Sequence, residues 1–275
     1  MIVVGKYNEL SVKSKAAAGL YLTDGRDSVL LPGRYVPENL ATGDELEVFV
    51  YLDNENRPIA TTLRPYAEVE DFAFLEVKDI NEFGAFLDWG IAKDVFVSYA
   101  EQREKMIVGN KYLVYLFMDE KSGRIAATTK WSRYLEKDTS GLMPGEEVEL
   151  LIAEETEMGY RAIIDNCFEG LIYRNEVFGE LFPGERMRGY IKHLRDDGKI
   201  DLRLSQAGFA HIEEAKHHVI KCLEQNGGKL ALGDKSEPKE IYDRLHLSKK
   251  VFKKTIGILY KERRITISDF EIRLA

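Results

Sequence analysis

Gly109-Asn110-Lys111-Tyr112-Leu113-Val114-Tyr115-Leu116-Phe117, followed by the polar turn Asp119-Glu120-Lys121-Ser122-Gly123 and then Ile125, reads as strand, turn and strand. The frame occurs three times, with Ile sixteen residues after Gly in each copy. Gly43-Asp44-Glu45-Leu46-Glu47-Val48-Phe49-Val50-Tyr51 leads to Ile59, and Gly184-Glu185-Arg186-Met187-Arg188-Gly189-Tyr190-Ile191 leads through Arg195-Asp196-Asp197-Gly198 to Ile200. Upstream, Asp24, Asp88 and Asp165 precede those glycines by 19, 21 and 19 residues. Short apolar runs flank each Asp: Gly19-Leu20-Tyr21-Leu22 and Val29-Leu30-Leu31, Gly84-Ala85-Phe86-Leu87 and Val95-Phe96-Val97, Ala162-Ile163-Ile164 and Gly170-Leu171-Ile172-Tyr173. Further strand-like segments lie around Leu10-Val12, Phe72-Val77 and Val148-Ile152. Each unit therefore holds about five short strands in roughly 65 residues, the size of a partly open barrel of the OB type.

The tail changes period. Ile212, Ala215, Val219, Cys222 and Leu223 have helical spacing, and Asn226-Gly227-Gly228 ends that helix. Leu230-Ala231-Leu232 is a short strand, and Ser236-Glu237-Pro238 has the features of a helix start. Ser248 is placed to cap a third helix with Val251, Phe252, Ile256, Leu259 and Tyr260 on its buried side. The alternating run Arg264–Leu274 forms a hairpin, which completes the order of a winged helix-turn-helix. The expected fold is mainly β with an α/β tail: three tandem five-stranded OB-fold barrels at 1–64, 65–138 and 139–208, then a winged-helix domain at 209–275.

Composition narrows the function. The chain of 275 residues is 44% hydrophobic and 31% charged, with a net charge of −8. That is ordinary globular composition, with no apolar run long enough for a membrane span and no secretory-signal pattern at the N-terminus. Cys167 and Cys222 are the two cysteines, too few for a disulfide framework or a cysteine-rich zinc site. Five histidines include no metal-binding spacing, and the phosphate-loop, dinucleotide and nucleophile-elbow motifs are missing. These features predict a cytoplasmic protein with no cofactor, no metal and no catalytic centre. Charge is unevenly spread: residues 1–210 hold 25 Lys+Arg against 37 Asp+Glu, whereas residues 211–275 hold 14 against 10. A basic module thus follows an acidic body.

The second repeat resembles the RNA-binding barrel first described in ribosomal protein S-one. Glu82-Phe83-Gly84-Ala85-Phe86-Leu87 is similar to that family's Phe-Gly-Ala-Phe strand, Asp94-Val95-Phe96-Val97-Ser98 to its Leu-Val-His-Ile-Ser segment, and Gly123-Arg124-Ile125 to its Gly-Arg-Ile turn. The resemblance implies an RNA face of Phe83, Phe86, Phe96 and Arg124, with Phe96 in place of the usual His. The third repeat keeps part of the set as Tyr160, Tyr173 and Lys199, with Ile163 at the second aromatic position. The first has Gly19, Leu22, Pro32 and Pro58 at the four positions and is expected to be a packing or protein-contact unit. With the tail, whose segments Leu230–Ser236 and Leu247–Lys254 are the most specific, the whole chain resembles the conserved virulence factor B family of bacteria. That family implies an RNA-binding protein that influences expression of other genes, virulence genes included.

The residue types suit single-stranded RNA. Rings on a β-surface stack bases at ~1–3 kcal/mol each, and a nearby Arg or Lys neutralises phosphate. Phe83 and Phe86, at odd spacing, fall on opposite faces of a flat strand unless the chain bends at Gly84. Lys249, Lys250, Lys253 and Lys254 line one side of the third helix, with Lys261, Arg263 and Arg264 towards the wing. This basic surface suits RNA, DNA or a protein partner. Trp89 either extends the stacking surface or covers the barrel end, and Trp131 is expected in packing. Cys167 and Cys222 are most simply packing residues. The competing function is a protein-interaction adaptor associated with the ribosome or the transcription machinery.

Overall fold

The computed structural model describes residues 1–177, 180–204 and 209–275. The boundary expected at residue 208 lies outside the described residues. Two compact units are present, Met1–Tyr134 and Leu135–Ala275.

The first unit holds two closed five-stranded barrels. Barrel one consists of β1 (Tyr7–Ala16), β2 (Gly19–Thr23), β3 (Ser28–Pro32), β4 (Glu45–Leu52) and β5 (Pro58–Thr61), in the order β1-β2-β3-β5-β4. Barrel two repeats that order with β6 (Phe72–Ile80), β7 (Gly84–Leu87), β8 (Val95–Ser98), β9 (Lys111–Asp119) and β10 (Arg124–Thr128). In the second unit, barrel three does so again with β11 (Glu147–Glu155), β12 (Gly159–Ile164), β13 (Phe168–Tyr173), β14 (Arg186–Leu194) and β15 (Ile200–Arg203). In each barrel the third and fifth strands pair in parallel and the remaining pairs run antiparallel.

The closure device is the same three times. The first strand of each barrel carries a register shift, at Val12/Ser14, Val77/Asp79 and Ile152/Glu154. Such a bulge bends the strand so that it pairs with the second strand along one half and the fourth along the other. The glycine that opens each sequence repeat completes it. The Gly43, Gly109 and Gly184 N–H groups donate to the carbonyls of Val12, Val77 and Ile152 at 2.8, 2.9 and 2.8 Å. All three have positive φ, between 85° and 96°, which a residue without Cβ adopts at little cost.

Barrels one and two share an apolar cluster in which Phe49 and Tyr51 lie with Leu75, Leu87 and Trp89. Trp89 is buried, donates its indole N–H to the Ala67 carbonyl at 2.7 Å and meets Phe49 edge-on at 5.3 Å. It therefore serves packing, and the stacking role is excluded by burial. Trp131 is buried against Phe72, as expected.

The tail is α1 (Phe209–Gln225), β16 (Lys229–Leu230), α2 (Pro238–Leu245), α3 (Lys249–Lys261), β17 (Ile265–Ile267) and β18 (Ile272–Leu274), around a core of Leu223, Leu232, Ile241, Phe252, Ile256 and Leu259. The Ser248 hydroxyl caps α3 by accepting from the Val251 N–H at 3.3 Å. Ser236 instead closes a turn onto the Gly233 N–H, leaving Glu237 as the uncapped start of α2. Tyr260 is exposed, not buried, because it falls one residue past Leu259 and 100° around the helix. Cys167 is also exposed, so it is no packing residue, and Cys222 is half-buried.

Candidate nucleic-acid interface

Pairing registers define one row of side chains across barrel two. Asp79 on β6 faces Phe86 on β7, Phe86 faces Phe96 on β8, Phe96 faces Ala126 on β10, and Ala126 faces Phe117 on β9. The neighbours Leu87, Val95, Val97, Leu116 and Ala127 are buried in the barrel, so alternation turns this row outward. Phe86 and Phe96 are half-exposed, with ring centroids 5.1 Å apart. Phe117 continues the row and stacks on Tyr134 at 5.6 Å. Small Ala126 between the rings leaves an open cleft of about 610 Å³. Its lining includes Phe83, Phe86, Phe96, Phe117 and, at its polar end, Asn54, Lys93, Asp94 and Arg124.

Phe83 joins the same cleft because it is not in the strand. β7 begins at Gly84, and the Asn81 side-chain oxygen accepts from the Phe83 and Gly84 N–H groups at 2.8 and 3.1 Å. The resulting turn frees Phe83 from strand alternation and leaves it 64% exposed. Gly84 permits the close approach: a Cβ there would lie 2.2 Å from the Val97 carbonyl oxygen and 2.9 Å from the Phe96 ring. The four residues expected from the second repeat are thus brought together.

Electrostatics differ along the cleft. The Lys93 ammonium donates to the Leu52 and Asp53 carbonyls at 2.8 and 2.9 Å, which ties barrel two to barrel one. Burial, and then the positive charge of Arg124, lower its pKa. Arg124 is exposed, and its guanidinium has no carboxylate partner among the described residues. Burial raises the pKa of Asp94.

The other barrels correct the sequence alignment. By strand register and by the shared bulge, Gly19 and Gly159 are the equivalents of Gly84. One backbone bond confirms it: Gly33, Tyr99 and Arg174 N–H donate to the carbonyls of Ala18, Phe83 and Met158. The equivalents of Phe83, Phe86 and Phe96 in barrel three are therefore Met158, Arg161 and Leu171, not Tyr160, Ile163 and Tyr173. Tyr160 is 3% exposed and lies in the barrel core, so it offers no face to a base. Tyr173 is half-exposed but sits opposite Gly159, two positions off the row. Arg161 is held by Glu154 and Glu169. Lys199 holds its expected place, exposed and paired to Asp197 at 3.1 Å.

In barrel one the row carries Tyr21, Leu30, Ile59 and Tyr51, with Arg57 at the basic position. The absence of both ring and charge expected there is overturned, because Tyr21 is 42% exposed and Arg57 is exposed, though paired to Asp53 at 2.8 Å.

On α3, Lys250, Lys253 and Lys254 are exposed, as are Lys261, Arg263 and Arg264 beyond or at its end; Lys249 is half-buried. Lys253 pairs with Asp234 at 3.0 Å. Phe117, Lys93, Asp94 and Asn54 were not expected in the site. The alternation of Tyr115 and Phe117 against buried Val114 and Leu116 is the signal that could have found Phe117.

Comparison with known proteins identifies domain types in the chain. An S1 domain model matches residues 4–63 and 72–130, and a CvfB-like winged helix domain model matches 217–274. Both are nucleic-acid-binding domain types, and neither is an enzyme family. YitL of Bacillus subtilis (strain 168) is 27% identical over 273 residues, covering 95% of this chain and 90% of that protein. Conserved virulence factor B of Staphylococcus aureus (strain N315) is 22% identical over 244 residues, 86% of this chain and 81% of its own. A crystal structure from Streptococcus pneumoniae TIGR4, described as a multidomain protein with nucleic acid binding domains, aligns over 99% of this chain and 98% of its own at 22% identity and a TM-score of 0.45. No helix among the described residues is long and apolar enough to cross a membrane. S1 domains followed by this particular winged helix, in one chain aligned over 95% and 86% of its length with the two named relatives, lead to one conclusion: the chain belongs to the CvfB/YitL family.

Proposed function

We propose that this protein binds single-stranded RNA without catalysis and, through the RNA it holds, regulates the expression of other genes in the bacterial cytoplasm. The observation that carries this reading is the barrel-two cleft, lined by the rings of Phe83, Phe86, Phe96 and Phe117 and by Arg124, whose guanidinium has no carboxylate partner among the described residues. Unstacked bases have π-faces for Phe83, Phe86 and Phe96, and the adjoining phosphates have Arg124. Duplex nucleic acid keeps its bases stacked inside and gains nothing from such a floor. Lys199 and the exposed cations of the winged helix add phosphate contacts. The name of the S. aureus relative supports a role in virulence-gene expression where the bacterium is a pathogen.

Fluorescence anisotropy with short single-stranded RNAs at two salt concentrations tests the reading, with duplex DNA as control. Log affinity should fall linearly with log salt. The Phe83→Ala/Phe96→Ala double variant should bind about tenfold or more weakly while its far-ultraviolet circular dichroism stays that of the parent. Undiminished binding by a folded double variant sinks the stacking site. Failure to bind any RNA at low salt turns the search to protein partners.

A further inference from the structure

The polar end of the barrel-two cleft holds a carboxylate that the fold does not neutralise. Three acids line the cleft: Asp94, Glu101 and Asp119. Glu101 accepts from Arg133 at 2.6 Å. Asp119 accepts from the Ser122 hydroxyl at 2.6 Å and from the Ser122 and Lys121 N–H groups. Asp94 has neither a hydrogen bond nor an ion pair among the described residues. Lys78 on β6, whose charge acts on Asp94, is committed to Asp88 at 3.1 Å. Asp79 and Asp88 add negative charge from β6 and from the chain after β7.

Position gives this carboxylate a task. Asp94 precedes Phe96 by two residues and so shares its face of the sheet. Arg124, two residues before the Ala126 that pairs with Phe96, lines the same cleft. Lys93, anchored on the barrel-one carbonyls of Leu52 and Asp53, adds a second cation at that end. A phosphate alone would be served better without Asp94. A base stacked on the rings presents its hydrogen-bonding edge, and an ionised carboxylate, which can only accept, pairs there with N–H donors.

We propose that Asp94 makes the cleft selective for guanine: the base stacks on Phe86 and Phe96, Asp94 accepts from its N1–H and its 2-amino group, and Arg124 with Lys93 holds the adjoining phosphate. Guanine alone among the four bases offers two adjacent donors on its pairing edge. Uracil offers one N–H flanked by two carbonyl oxygens, which a carboxylate repels. Adenine and cytosine offer one amino group beside an acceptor nitrogen. The inference rests on the RNA reading above and adds to it the base preference.

The test uses the full chain and labelled UUUUU, UUGUU, UUCUU and a UUGUU analogue with inosine for guanosine. UUGUU should bind about tenfold tighter than UUUUU, the discrimination expected of a bidentate contact. Inosine, which lacks the amino group, should fall between them. Asp94→Asn should bring the two uridine-flanked affinities to within about twofold while UUUUU binds as well as before or better, since a negative charge has gone. Equal binding of UUGUU and UUUUU by the parent, or an unchanged ratio in Asp94→Asn, overturns the guanine assignment and leaves salt-dependent RNA binding standing. Binding to none of the four at low salt overturns both.

Discussion

Barrels two and three place different chemistry on the same strip of the same fold. Across barrel two the row reads Asp79, Phe86, Phe96, Ala126, Phe117. Across barrel three it reads Glu154, Arg161, Leu171, Asp201, His193. In the first, rings stand over an open cleft beside Arg124, a cation with no carboxylate partner among the described residues. In the second, Arg161 is clamped between Glu154 and Glu169, so the strip answers its own charges. Bulge, glycine turn and strand order are common to both, which shows that closing the barrel and equipping its outer face are separate tasks. The inward residues and the turns do the first, and the outward residues are free to vary.

The largest effect should fall on what the barrels share. A Cβ at Gly84 would meet the Val97 carbonyl oxygen at 2.2 Å, and one at Gly159 would meet the Ile172 carbonyl oxygen at 2.0 Å. Backbone cannot yield as a side-chain end can, so Gly84→Ala and Gly159→Ala should each cost on the order of 3 kcal/mol. Urea unfolding followed by tryptophan fluorescence and circular dichroism measures the cost. If one variant keeps the parental midpoint while the other loses it, the turns are not equivalent and the alignment of the two rows breaks.

Next comes the contrast itself. Phe86→Ala with Phe96→Ala removes two stacking partners and should weaken RNA binding by about tenfold to a hundredfold, at ~1–3 kcal/mol per base. The matching pair in barrel three, Arg161→Gln with Leu171→Ala, should leave affinity within about twofold, since neither side chain supplies a ring. Equal losses from the two pairs would mean that the ion-paired strip opens to bind RNA and that the contrast describes the free protein only.

Much of this was legible in the sequence because periodicity reports burial. The three β patterns gave the barrels, and Gly43, Gly109 and Gly184 marked turns where backbone geometry demands glycine. The residues of repeat two were found because its motif is nearly intact. The equivalents in barrels one and three were misread for a physical reason. Asp24, Asp88 and Asp165 looked like a common landmark, yet they follow the equivalent residues Leu22, Leu87 and Ala162 by two, one and three positions. Those aspartates lie beyond the paired part of the strand, where length is free to vary. Aligning on them displaced Met158 to Tyr160 and Leu171 to Tyr173. Lys199, counted from Gly184, falls at the equivalent of Arg124, whereas Pro58, counted the same way from Gly43, falls one residue past Arg57 because the turn between the last two strands differs in length. Lys93 and Asp94 went unseen because isolated charges at a strand start carry no periodic signal.

A smaller effect tests the closed strip of barrel three. Arg161 is about a quarter exposed and its two acidic partners a little more, so solvent screens the pairs. Arg161→Gln should cost about 1 kcal/mol, and less as salt is raised. A cost that ignores salt would mean that Arg161 acts by packing its stem and that the strip is not closed by charge.

The smallest effect concerns Asp94, and its sign is opposite to that of an ordinary paired acid. Burial raises its folded-state pKa above the value of an unfolded chain. Between the unfolded and folded pKa the native state binds more protons, so stability falls as pH rises through that window. At neutral pH the ionised carboxylate is therefore a net cost to folding, and below both pKa values the cost is gone. Asp94→Asn should raise the melting temperature slightly at pH 7, and the advantage should fade as pH drops below the carboxylate range. A variant destabilised at pH 7 would show that Asp94 holds the barrel together in its charged form. Stabilisation combined with lost guanine preference would show the reverse, a group kept at some expense to the fold because a ligand needs it.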